Sequence, residues 1–284
     1  MRFYLRQLGV TLVFGFLSVA AAGAAEKYTA GTVTNGGSLS GKVSFKGAQP
    51  APEKFEFSKF PQPKFCSMAD SDGKPGSGEG HRLRQDVKVA KDGGLSDAVV
   101  YITNITQGKA MNVPATQINA ENCRFLVQGG PSKAVGVILN SKDTGAVSVT
   151  NNDADTSSPE TEKGVLHNPH GYSMAGKIST TLFNKPVPNK GQTITEKVKP
   201  IWFKKADSFM KVECDQHNFM NAWALPVDNP YYAIVKEDGT FSMDQVPPGT
   251  YEVKAFHPRL GFVASTVEVK AAADTKANFE FAGK

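Results

Sequence analysis

The chain is short of cysteine, of net charge and of long apolar runs, and each shortage removes a class of explanation. Three cysteines, Cys66, Cys123 and Cys214, are too few for a disulfide-dense scaffold, and no Cys-x-x-Cys-His occurs to attach a c-type haem. A formal net charge of +5 over 284 residues, with no dense Lys/Arg stripe, argues against a nucleic-acid partner. Beyond the N-terminus no segment is long and apolar enough to cross a bilayer. No stretch keeps a helical period for more than two turns. Gly-x-Ser-x-Gly, His-Glu-x-x-His and paired carboxylates in a defined context are all missing, and the acidic residues are scattered. The expectation is a protein that is not an enzyme.

What is present begins with an export signal. Arg2 and Arg6 precede an apolar run from Leu8 to about Ala22, and Ala22-Gly23-Ala24-Ala25 offers small residues for cleavage. Residues 1–25 read as a secretory signal peptide, with a mature chain starting near Ala25 or Glu26. Losing two arginines and no acid lowers the formal charge from +5 to +3. No cysteine sits at the cleavage point to take a lipid. The expected mature protein is soluble, has no membrane span and resides in the periplasm or outside the cell.

Twenty-seven glycines and seventeen prolines among short apolar runs fit many short strands joined by turns. Gly41–Gly47 alternates polar and apolar residues, whereas Ala98–Ile102 is a continuous apolar run of the kind buried on both faces. Further strands are expected at 124–128, 134–140, 146–151, 176–183, 192–199 and 209–214. Towards the C-terminus, Tyr231–Lys236 and Thr240–Met243 flank Asp238-Gly239, a hairpin signal, because that dipeptide tolerates positive φ. Pro247-Pro248-Gly249 marks a turn, and Thr250–Phe256, Val263–Lys270 and Ala277–Phe281 complete the strands. Residues 67–80 and 151–164 consist of turn formers with little to bury and are expected as mobile surface loops.

An odd cysteine count in an exported protein leaves one thiol with a separate fate. The economical arrangement pairs Cys66 with Cys123 and frees Cys214, although Cys214 paired with either is also open. Cys214-Asp215-Gln216-His217-Asn218-Phe219-Met220 follows the strand-like Phe209–Glu213. A copper electron-transfer site needs a soft thiolate, two imidazoles and a weak axial thioether, and one short loop can supply three of these. The fourth must come from elsewhere, and Leu166-His167-Asn168-Pro169-His170 offers it. Taken singly, each residue has a plainer reading: Cys214 as an inert thiol, His217 as a hydrogen-bonded surface histidine, Met220 as core filler.

Cys-x-x-His-x-x-Met after a strand, with a His-Asn pair some way upstream, resembles the cupredoxins, with the ligand-loop spacing of amicyanin. Cys123-x-Phe125, Leu182-Phe183-Asn184, Asp228-Asn229-Pro230-Tyr231 and the Glu237-Asp238-Gly239-x-Phe241 to Pro247-Pro248-Gly249-x-Tyr251 segment extend the likeness. Together they resemble bacterial periplasmic proteins that join a plastocyanin-like module to a carboxypeptidase-regulatory-like module. The resemblance implies an all-β chain: a Greek-key cupredoxin β-sandwich plus a transthyretin/carboxypeptidase-regulatory-like β-sandwich. It implies one mononuclear type 1 copper, held by His167, Cys214, His217 and Met220. Asn168 would tie the two ligand loops together. His167 is favoured over His170 because the family's upstream ligand directly precedes Asn. The polar insert at 151–164 departs from the family pattern.

The opening strands of 37–105 and the closing strands of 228–284 each resemble a different part of one regulatory-like sandwich. The expected organisation is therefore that sandwich split in sequence, with the copper module inserted at 110–226. His257, in the outer module, reads as structural. His81 has no partner legible in the sequence, and Phe219 and Trp223 read as packing that keeps water from the metal. The functional expectation is a carrier of single electrons that meets a transient redox partner, a cytochrome or a copper enzyme, at an exposed edge of His217. The alternatives are a Cu(I) carrier or sensor that transfers no electrons, and a metal-free sandwich scaffold.

Overall fold

Alternation of residues along the strands organises the molecule into stacked sheets. The computed structural model describes residues 28–69 and 80–283; the expected signal peptide and most of the 67–80 segment lie outside them. Nearly all the regular secondary structure among the described residues is strand, and four larger sheets stack as two β-sandwiches.

The first sandwich comes from both ends of the chain. One sheet has the order Tyr232–Ile234, Val99–Ile102, Gly249–His257, Gly261–Val269. The other places Gly37–Lys46 at its centre, antiparallel to Thr240–Val246 and parallel to Asp274–Lys276 and Phe279–Ala282. Leu39, Val43, Val100, Ile102, Val253 and Phe279 close the core between them. Gly239 takes the positive φ of +82° expected of the Asp-Gly turn, but the flanking strands do not form the expected hairpin: Tyr232–Ile234 pairs with Val99–Ile102 in one sheet and Thr240–Val246 with Gly37–Lys46 in the other. His257 is fully buried here. Burial pushes it down to about 4, and its Nδ1 accepts a hydrogen bond from the Arg259 amide. A neutral structural histidine fits these surroundings.

The second sandwich pairs a sheet ordered Ile178–Asn184, Pro169–Ala175, Phe209–Cys214, Asn221–Val227, Val135–Leu139 with one ordered Thr193–Lys197, Ala146–Asn151, Thr116–Ala120, Phe125–Val127. Its core includes Ile118, Phe125, Val147, Val149, Met210 and Val212.

The two sandwiches share a third apolar layer. Val99 and Phe256 from the first meet Val135, Val137, Trp223, Leu225 and Val227 from the second. This layer explains the continuous apolar runs. Val100 and Ile102 face one core while Val99 faces the other, and Ala222 and Ala224 alternate with Trp223 and Leu225 in the same way.

Three segments differ from the sequence expectation. A short α-helix, Pro63–Ala69, occurs where no helical period is legible; seven residues are too few to display one. His81 is not part of an unpartnered loop but starts the strand His81–Arg84, which pairs with Glu53–Glu56. Residues 53–69 and 80–84, which fall within the first-sandwich span by sequence, pack on the second: Phe57 and Cys66 lie in its core. Cys66 is joined to Cys123 by a disulfide across 57 residues, and Cys214 is free and buried.

Closing a loop of that length removes enough chain entropy from the unfolded state to contribute about 4 kcal/mol. Urea unfolding of the Cys66→Ser/Cys123→Ser double variant is expected to show a loss of that order. A loss near zero would mean that Cys66 and Cys123 are not covalently joined.

Candidate metal centre

Strand parity carries Cys214 to its place. In Phe209–Cys214, Met210, Val212 and Cys214 point into the core, while Lys211 and Glu213 point away from it. Cys214 lies opposite Pro169 and Glu213 opposite His170, so one residue of register separates a core position from an outer one. His170 therefore faces outward. It stacks on Tyr172 with ring centroids 4.0 Å apart and bonds Asp215 at 3.0 Å and Thr181 at 3.0 Å. His167, just before that strand, faces inward.

His167, Cys214 and His217 come together with donor atoms all within 4.8 Å of one another. All three side chains are 0% exposed. The thiol sulfur lies 3.9 Å from His167 Nδ1 and 3.8 Å from His217 Nδ1. The Asn168 amide donates to the same sulfur at 3.3 Å, and the Asn168 side-chain amide donates to Asp215 at 3.1 Å, which links the two loops. Met220 is buried in the same core, and its carbonyl accepts the Cys214 amide at 3.2 Å, which closes the heptapeptide into a tight turn.

Each imidazole is held from behind. His167 Nε2 donates to Asp153 Oδ2 at 2.8 Å, and His217 Nε2 donates to the Pro61 carbonyl at 3.0 Å. With the proton on Nε2, the lone pair of a neutral imidazole is on Nδ1, aimed at the sulfur side. Asp153 also accepts the Asn122 and Cys123 amides at 2.6 and 2.9 Å. Asn151 donates to the Val165 and Val187 carbonyls at 2.8 and 2.7 Å, and so fixes the backbone on either side of His167. Residues 151–164 are thus not the loose surface loop expected from composition. Asn151, Asp153 and Thr161 are buried because their polar atoms satisfy otherwise orphaned backbone groups. Sequence reasoning missed Asp153 and Pro61; the one faint signal for Asp153 was an acid fourteen residues before a histidine, which has no specificity.

A cap covers His217. Phe55, Phe57 and Phe60 ring Phe219, with centroids 5.9, 5.4 and 4.9 Å away. The Arg82 guanidinium sits 4.8 Å over the Phe219 ring and donates to the Cys123 carbonyl and, at 3.1 Å, to that of Asn122. The disulfide pins the same segment. The expected exposed edge of His217 is therefore corrected: Pro61 and the aromatic cap bury it. Trp223 lies on the opposite face of its sheet, in the layer between the sandwiches, and does not shield the site directly.

Burial alone would raise the Cys214 thiol. Hydrogen bonds from His167 and His217, and then their charge, outweigh it and bring the thiol down to about 6. At His167 burial works downward, and the Asp153 hydrogen bond followed by that of Cys214 raises it to about 9. In the metal-free protein each group therefore favours the charged form of the other. The lowered Cys214 value contributes stability that is present above the unfolded thiol value and lost as pH falls through about 6. The raised His167 value contributes stability that is present below the unfolded imidazole value and lost as pH rises through about 9. One thiolate sulfur and two imidazole nitrogens in a dry pocket, with a thioether in the same loop, form a donor set that suits copper in either oxidation state.

The far-ultraviolet thiolate absorption of the metal-free protein should persist well below the ordinary cysteine range and titrate away near pH 6. It should be absent in Cys214→Ser. Asp153→Asn removes the charge behind His167 and should move the titration upward. A thiolate that appears only at the ordinary cysteine value of about 8.5 would contradict this electrostatic account.

Among known proteins, residues 232–280 match the family model described as BOS complex subunit NOMO1-like, second beta sandwich domain. That stretch runs through the closing strands of the first sandwich. No curated protein sequence matches the chain. Among solved structures, a Cu-containing nitrite reductase (NirK) from Thermus scotoductus SA-01 aligns at 15% identity with a TM-score of 0.25. The alignment covers 42% of this chain and 24% of that one, so the chain spans about a quarter of the enzyme's length. The chain is thus similar in part to a β-sandwich family.

Proposed function

We propose that the protein is an exported type 1 copper protein that carries single electrons between redox partners. The observation that supports this reading is the buried meeting of His167, Cys214 and His217 within 4.8 Å. Cys214 would supply the thiolate, His167 and His217 the strong nitrogen donors through Nδ1, and Met220 the weak axial thioether. Bound copper would supply a one-electron Cu(II)/Cu(I) couple.

The chain's own residues set how that couple behaves. Asp153 and the Pro61 carbonyl keep the protons on the outer nitrogens and fix both rings before any metal arrives. Asn168 donates to the sulfur and stabilises its negative charge. Phe219 and the cap exclude water, so no solvent shell has to rearrange when the charge changes. This rigidity favours electron transfer over delivery of copper. A carrier must let its cargo go, and ligands that are fully buried and tethered from behind resist release. The Cys66–Cys123 disulfide fits an oxidising compartment, in keeping with export. Among the described residues no helix is long and apolar enough to cross a membrane.

Addition of Cu(II) to the purified protein is expected to produce an intense visible thiolate-to-copper band. Cys214→Ser should abolish it, and His167→Gln or His217→Gln should displace or abolish it. Voltammetry of the loaded protein should show one reversible one-electron wave with the copper retained. Copper binding that is colourless and unaffected by Cys214→Ser would overturn the proposal.

A further inference from the structure

A cleft of about 410 Å³ opens between the two sandwiches on the flank of the capped site. Met220, the proposed axial ligand, lines it together with its neighbour Phe219, whereas His167, Cys214 and His217 do not. Trp223, three residues further along, lines it as well, with the Arg259 guanidinium 5.4 Å from its ring. The wall nearest the proposed metal position is therefore apolar and polarizable. The rim is cationic. Five basic and two acidic side chains line the cleft, among them Arg84, Lys88, Arg124 and Lys133. Both acids are held in ion pairs, Asp86 with Arg84 at 3.0 Å and Arg259 at 2.5 Å and Asp97 with Lys88 at 2.9 Å, and Arg84 also pairs with Glu53 at 2.7 Å, so Arg84 and Lys88 are largely offset and the excess positive charge of the rim falls to Arg124 and Lys133. Lys88 and Lys133 are exposed. The face presents a positive field to solvent.

An electron carrier needs a place where a partner can approach its redox centre. The edge of His217 is covered by Pro61 and the Phe55–Phe57–Phe60 cap, which the disulfide pins down. We infer that this cleft is the electron-transfer port, and that its partner is a redox protein that presents an acidic surface to Arg124 and Lys133. The inference rests on the copper reading above. Electrons would pass through the Met220–Phe219 wall. The positive rim would steer an acidic partner and release it readily as ionic strength rises, the behaviour suited to a transient encounter.

Two probes separate the inference from the reading beneath it. In metal-free, isotope-labelled protein, hexacyanochromate(III), a redox-inert paramagnetic trianion, should broaden the amide signals of Arg84, Arg124 and Lys133 and the Trp223 indole signal. The broadening should fade in the Lys133→Gln/Arg124→Gln variant. Broadening spread over the surface or centred elsewhere overturns the inference whatever the metal content. In copper-loaded protein, hexacyanoferrate(III) takes one electron from the Cu(I) form, giving Cu(II) and hexacyanoferrate(II). At low salt that rate should fall about tenfold in the same variant, within the usual range of electrostatic steering. The rate with cationic tris(phenanthroline)cobalt(III) should not fall. Equal changes for both oxidants, with the visible copper band intact, overturn the port while leaving the copper site standing. Absence of the band in the parent protein removes the copper reading, and the port with it, even if the anion still maps to the cleft.

Discussion

A thiol flanked by two imidazoles in a dry core is the constraint on which the rest of the structure depends. Ionisable groups with no access to water are costly unless each is paired or hydrogen-bonded. Around Cys214, His167 and His217 the chain meets that requirement with partners from distant segments: Asp153 behind one ring, the Pro61 carbonyl behind the other, and the Asn168 amide on the sulfur. Asp153 is itself held by the amides of Asn122 and Cys123, so the disulfide at Cys123 belongs to the same web. Removing any one of these leaves a charged or polar atom unpaired in a low-dielectric interior.

The stacked sheets give that web a rigid frame. The Phe209–Cys214 and Asn221–Val227 strands sit in the interior of their sheet, and the second has apolar cores on both faces. Parity along the first sets Cys214 inward and Glu213 outward, and parity along the second sets Ala222 toward the site core and Trp223 toward the first sandwich. The first sandwich thus acts on the site indirectly. Its Val99 and Phe256 fix the layer behind the strands that flank Cys214 and Met220, and the junction leaves the cleft beside Met220.

Much of the fold is legible in the sequence because local chemistry dictates it. The Asp238-Gly239 turn and the doubly buried Ala98–Ile102 run follow from short-range pattern, and the Cys66–Cys123 disulfide is the economical one among the pairings the sequence left open. The spacing of Cys214, His217 and Met220 in one heptapeptide points to a shared site, and the structure brings Cys214 and His217 together with His167. What escapes the sequence is the set of long-range approaches. Pro61 meets His217 across 156 residues through a backbone carbonyl, which leaves no side-chain signature. Asp153 sits among turn formers that look solvated until their buried partners are known. Pro169–Ala175 gives a weak strand pattern, since its core face carries Pro, Gly and Ser in place of large apolar groups. The cap reads as an ordinary stretch of the first sandwich because aromatic packing on Phe219 is a tertiary event.

X-ray absorption at the copper edge of the loaded protein, recorded beside Cys214→Ser, tests the central claim most directly. The account predicts one short copper–sulfur distance and two copper–nitrogen distances from imidazole, with the sulfur contribution lost in the variant. A first shell made only of nitrogen and oxygen, the same in both proteins, would contradict it.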